Sequence, residues 1–95
     1  MGYDLVLTAL ADRTRRNVLN RLRMEPKSAS QIVKTMKISR PAVTQHLRKL
    51  LKAGLVDCEV QGRNTVYFLT RKGFDELEIY LSGFENLKGF RRPTK

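Results

Sequence analysis

Gln45 and Arg48 lie three positions apart and carry the side chains best suited to reading base edges. A carboxamide bonds adenine in two places, a guanidinium does the same with guanine, and the methyl group of the neighbouring Thr44 suits thymine. They sit inside a segment of extreme charge. Residues 13–52 hold twelve lysines or arginines against the single acid Glu25, a net of +11 in a chain whose total is +10. Charge concentrated in this way attracts a polyanion and releases that polyanion's counterions on contact. A basic surface that is merely solvated is the duller reading, and Gln45 and Thr44 have the same alternative. Lys27, Lys34 and Lys37 suit a general field better than specific contacts.

Those side chains need a helix to carry them. Val43, Leu47 and Leu50 recur at i, i+4 and i+7, with Leu51 beside them, which predicts a helix over 40–53 packed by that stripe. Pro41, Gln45, Arg48 and Lys52 then fall on the outer side, with Thr44 and Lys49 at its edges. Ser39 is a good N-cap, Pro41 is tolerated in the first turn, and Gly54 suits the position just past the end. Ser39 and Arg40 at the amino end suit phosphates, helped by free backbone N–H groups. Ser28, Lys49 and Lys52 are further candidates for the backbone, and His46, at the edge of the apolar stripe, is a structural or phosphate-contacting imidazole.

Before this helix, Ser28-Ala29-Ser30-Gln31 matches a capping box and opens a helix carrying Ile32, Val33 and Met36 inward to about Lys37. The pair forms a helix-turn-helix over 28–53. Upstream, residues 4–11 and 13–24 fit two helices. Asp12 is the expected cap of the second, Val18, Leu19 and Leu22 its inner face, and Arg15, Arg16, Arg21 and Arg23 flank or oppose that face. Downstream the period changes to two. Val56, Cys58 and Val60 alternate with Asp57 and Glu59 as a strand with an inward face, and Thr65–Leu69 returns after a turn at Gln61–Asn64. Gly62 and Asn64 are expected to supply positive φ there. Arg63 and Asn64 at the tip are placed like a wing that meets the backbone or the minor groove, although Arg63 also reads as a plain turn residue. Thr70 is the expected cap of a last helix over 71–88 with Phe74, Leu77, Leu81, Phe84 and Leu87 apolar. The fold expected is mostly α with a small β-hairpin, a winged helix-turn-helix ordered α-α-α-α-β-β-α. It makes one domain over 1–90, with the wing at 55–69 and a flexible tail at 91–95.

Ninety-five residues leave no room for a second domain, and 41% hydrophobic content excludes a fully disordered chain. Apolar runs are too short to span a membrane, and the first ten residues do not read as a signal peptide. The lone Cys58 fits a reducing cytoplasm and is expected to be a buried, inert thiol. No nucleophile–base pair, phosphate-cradling glycine loop or paired carboxylates point to an enzyme. With one His and one Cys, a zinc site of three or four ligands is not expected, nor any cofactor.

The stretches "LADRTRRNVLNRL", "SASQIVKTMKISRPAVTQHLRKLLKAGLV" and "GRNTVYFLT" together resemble the ArsR/SmtB family of bacterial and archaeal winged-helix repressors, from about Ala9 to Thr70. The resemblance implies a homodimer that binds an imperfect palindrome in double-stranded DNA near a promoter, usually as a repressor. It also implies that the first and last helices, 4–11 and 71–88, form the dimer interface. That maps onto Leu5, Leu7, Leu10, Phe74, Leu77, Leu81 and Phe84. The metal-sensing members' Cys-x-Cys is missing from Ser30–Met36, and the last helix has carboxylates but no His. A non-specific architectural nucleic-acid binder is the alternative function.

Overall fold

The computed structural model describes residues 2–85. In chain order these form α1 (Gly2–Ala11), α2 (Arg13–Met24), β1 (Lys27–Ser28), α3 (Ala29–Met36), α4 (Arg40–Lys52), β2 (Val56–Gln61), β3 (Asn64–Leu69) and α5 (Lys72–Ser82). Val18, Ile32, Val43, Leu47, Leu50 and Leu55 lose essentially all contact with solvent at the centre, joined by Val6 of α1. Each such aliphatic side chain contributes about 1.5–3 kcal/mol by burial. The stripe expected on α4 is therefore the wall that holds the helix-turn-helix together.

The caps follow local chemistry. Asp12 accepts from the backbone N–H of Arg15 at 3.0 Å. Ser28 and Gln31 exchange both bonds of a capping box, and Ser39 accepts from Ala42. Lys37 takes the left-handed conformation, φ 55°, between α3 and α4, and Gly54 does so after α4 at φ 72°. Gly62 alone supplies positive φ in the wing turn, φ 62°, and Asn64 does not. One positive φ at the first of two loop residues is the type II′ pattern, which matches the strand twist without a second strained residue.

Several expectations are corrected. A short strand, β1, makes the wing a three-stranded sheet in the order β1-β3-β2. Lys27 pairs with Tyr67 and Ser28 with Val66, so the cap of α3 is also stitched to the returning strand of the wing. Val56 is buried, but Cys58 is only half-buried and Val60 is 74% exposed. The inward face of β2 thus ends where the hairpin projects beyond the helices. Thr70 does not cap α5; its hydroxyl donates to the carbonyl of Gly54 at 2.9 Å, and Arg71 occupies the cap position without a side-chain bond to the helix's first N–H groups. The last α-helix stops at Ser82, not 88. From Gly83 the N–H groups reach back only three residues, to Tyr80 and Leu81, as a helix end tightens at a weak helix former. Leu87 and the tail expected at 91–95 lie outside the described residues.

Candidate nucleic-acid interface

The amino ends of α3 and α4 meet the wing in one place. Ser28, Ser30, Arg40, Arg63, Asn64 and Tyr67 are among the residues lining a cleft of about 170 Å³ at that meeting point. Its position follows from the pairing of Ser28 with Val66, which brings the start of α3 against β3. Arg40 is aimed by a bond from Nη1 to the hydroxyl of Ser30 at 3.1 Å. First-turn N–H groups carry the positive end of each helix dipole, so this corner offers partial and full positive charge together. Arg63 and Asn64 are exposed at the wing tip, and Ser39 and Arg40 are exposed at the entry to α4.

Along α4, Gln45 and Arg48 are exposed on the side away from Val43, Leu47 and Leu50, and Thr44 is half-buried at its edge. An exposed helix side of this kind is what a major groove of about 12 Å width receives. His46 is half-buried, and its Nδ1 faces Nη1 of Arg15 at 3.5 Å. A donor on that side needs the Nδ1 lone pair, which leaves the hydrogen on Nε2. Lys49 and Lys52 are exposed but line a cavity of about 190 Å³ with Leu5, Thr8 and Ala9 of α1. Lys52 lies about 18 Å along the helix from Arg40 at 1.5 Å per residue. The structure therefore groups Arg40 with Arg63 and Asn64, and places Lys49 and Lys52 apart from them.

Two residues escaped the sequence reading. Ser30 looked like an interior position of a capping box, yet its hydroxyl positions Arg40. Arg15, grouped with three other arginines around the rim of α2, is only 7% exposed. Its Nε donates to the carbonyl of Ala9 at 2.8 Å and its Nη2 to that of Thr8 at 3.1 Å, the last carbonyls of α1. Asp12 beside it is held below the ordinary value of 3.8, chiefly by the bond from the Arg15 N–H. Partial burial opposes that shift, and the positive charge of Arg15 adds to it. A polar knot of Asp12, Arg15 and His46 thus joins α1, α2 and α4.

The chain's similarities agree with this geometry. Residues 12–57 match the model of the arsR family of bacterial regulatory proteins. The HTH-type transcriptional regulator Rv2034 of Mycobacterium tuberculosis is 38% identical over 81 residues, covering 85% of this chain and 76% of that one. The crystal structure of the ArsR family transcriptional regulator RHA00566 superposes with a TM-score of 0.84 at 28% identity, over 96% of this chain and 100% of that one. A homodimeric winged helix-turn-helix DNA-binding domain from Mycobacterium bovis, 18% identical, shares the fold at a TM-score of 0.72 over 98% of this chain and 88% of that one.

Proposed function

The chain belongs to the arsR family of bacterial regulatory proteins, a transcriptional regulator with a DNA-binding winged helix-turn-helix, and from that premise we propose that it is a dimeric repressor reading an imperfect palindrome. It acts in the cytoplasm by binding and not by catalysis. Thr44, Gln45 and Arg48 read bases in the major groove. Ser28, Ser39, Arg40 and the Nε2 of His46 take the backbone, and Arg63 with Asn64 follows the adjacent strand from the wing. Lys49 and Lys52 add to the field from the α1 side. The observation that carries this reading is the convergence of two helix amino ends, Arg40 and the wing tip on one cleft.

The dimer uses α1 and α5. Leu5, Leu7, Leu81 and Phe84 are 40–54% exposed and Ile79 is 73% exposed, an unusual display of large apolar groups for so small a chain. Tyr3 of α1 stacks on Tyr80 of α5 at 4.7 Å, and Tyr80 meets Phe84 edge-on at 5.4 Å, so the two helices present one face. Leu10, Phe74 and Leu77 pack half-buried against the protomer's own core and brace that face from behind. Burying these groups between two copies sets the recognition helices about 34 Å apart, one turn of duplex.

The test is selection of bound duplexes from a random library, with affinities repeated at two salt concentrations. A two-fold symmetric motif with half-sites one turn apart is the expected result. Enrichment without a motif, at the same steep salt dependence, would replace this reading with a non-specific architectural binder.

A further inference from the structure

A second cleft, of about 450 Å³, opens beside α2 at the edge of the core, where Leu19 is buried. Its floor is apolar, made by Leu10 at the end of α1, Leu69 at the root of the wing and Phe74 in the first turns of α5. Its wall is cationic, with Arg13, Arg16 and Arg23 along one face of α2 and no acidic residue in the lining. We propose that this cleft binds an amphipathic organic anion, a carboxylate carrying an apolar tail.

The volume lies within the range of about 300–1,000 Å³ common to small-molecule sites. The polar and apolar parts are segregated, so a ligand with one charged end and one greasy end satisfies both. Arg16 is pre-positioned: its Nη1 donates to the carbonyls of Leu10 at 2.7 Å and Ala11 at 3.2 Å. That leaves Nε and Nη2 as a fixed edge, the geometry in which a guanidinium takes a carboxylate through two parallel bonds. Arg13 and Arg23 are exposed and bond to nothing among the described residues, so they are free to close on the same charge. The site is distinct from the nucleic-acid corner. Leu69 is five residues along β3 from Asn64, about 17 Å at a strand's rise. Its floor joins the end of α1, the wing and the start of α5, so an occupant touches the dimer helices and the wing at once. The inference stands independently of how α4 reads DNA.

The experiment titrates the 95-residue chain with decanoate, following heat and backbone amide resonances, with decanol and decyltrimethylammonium as matched probes. Expected is saturable binding of one decanoate per chain, with shifts centred on Leu10, Arg16, Leu69 and Phe74. Decanol and the ammonium are expected to bind at least about tenfold more weakly, since neither engages paired guanidinium donors. The double variant Arg13→Gln, Arg23→Gln is expected to lose about tenfold in decanoate affinity at an unchanged melting temperature. Equal affinity for decanol, or shifts centred on Leu5 and Ile79, overturns the proposal. So does a double variant that binds decanoate normally. If that variant instead loses the dimer or its affinity for duplex, the stripe belongs to a second copy or to the DNA backbone, and the anion site is wrong.

Discussion

Arg15 places its Nε–H on the carbonyl of Ala9 at 2.8 Å, so a buried guanidinium in the first turn of α2 closes the end of α1. The same group bonds Thr8 and faces His46 on α4. Helix ends leave carbonyls without intrahelical partners, and here one side chain supplies donors for two of them. Bonds from a charged donor contribute about 1.5–3 kcal/mol each. Arg15→Met keeps the stem and removes the donors. The expected loss is about 3 kcal/mol in urea unfolding, with Arg15→Lys intermediate because one ammonium cannot serve both carbonyls. A methionine variant as stable as the parent would show that burying the charge costs as much as its bonds return.

Gly73 tests a close approach. A Cβ there would collide with the carbonyl oxygen of Ala53, and the Gly73 N–H already bonds Gly54 at 2.7 Å. In an open helix Gly→Ala stabilises by about 1 kcal/mol. At this position Gly73→Ala is expected to destabilise by about 1–3 kcal/mol, since α5 must move off the end of α4. Gly62→Ala is the contrast. Nothing lies within 4 Å of its Cβ, so only the positive φ of 62° opposes it, at about 1 kcal/mol. Melting temperatures of both variants decide whether contact or conformation matters more.

These two sites mark the boundary of what sequence can say. The Ser28–Gln31 box, the Ser39 cap, Gly54 and the α4 stripe are all written within short stretches of neighbouring residues, and each appears as expected. Lys27–Ser28 as a strand was invisible because its reason lies near Val66, almost forty residues away. Arg15 resembled its neighbours because burial of an arginine depends on carbonyls at the end of another helix. Alternation on β2 promised an inward Val60, but the hairpin runs past the core, so the period persists without anything to pack on. At the nucleic-acid corner, residue types on α4 were legible. The alignment of Ser30, Arg40 and Arg63 needed the three-stranded sheet.

Asp12 makes the acid limb of stability sensitive to one side chain. Its carboxyl is held below 3.8 by the Arg15 N–H, so the folded state binds the proton less readily than the unfolded chain. Such a group contributes stability that is fully present above 3.8 and disappears as pH falls through the lowered folded value. Asp12→Asn keeps a capping side chain without the charge. The variant is expected to be less stable than the parent at neutral pH, and the gap is expected to close at an acid pH below the lowered folded value, where Asp12 is protonated. Urea midpoints at the two pH values check this. A gap that persists in acid assigns the effect to lost cap geometry and not to charge.

The wing and the reading helix should fail in different ways. Arg63 projects from the two-residue loop beyond the core and, on the function proposed, meets phosphate or a narrow groove from outside. Arg48 faces out from the middle of α4, where the function proposed sets a base edge. Arg63→Ala is therefore expected to weaken all duplexes alike and to reduce the slope of log affinity against log salt by about 1, one counterion's worth. Arg48→Ala is expected to cost about 1–3 kcal/mol on the preferred duplex and to relax choice at one base pair per half-site. Competition between the selected duplex and single-base variants of it, repeated at two salt concentrations, separates the effects. If Arg63→Ala changes base preference while Arg48→Ala changes only the salt slope, the roles are reversed. The wing would then be the reader and α4 the anchor.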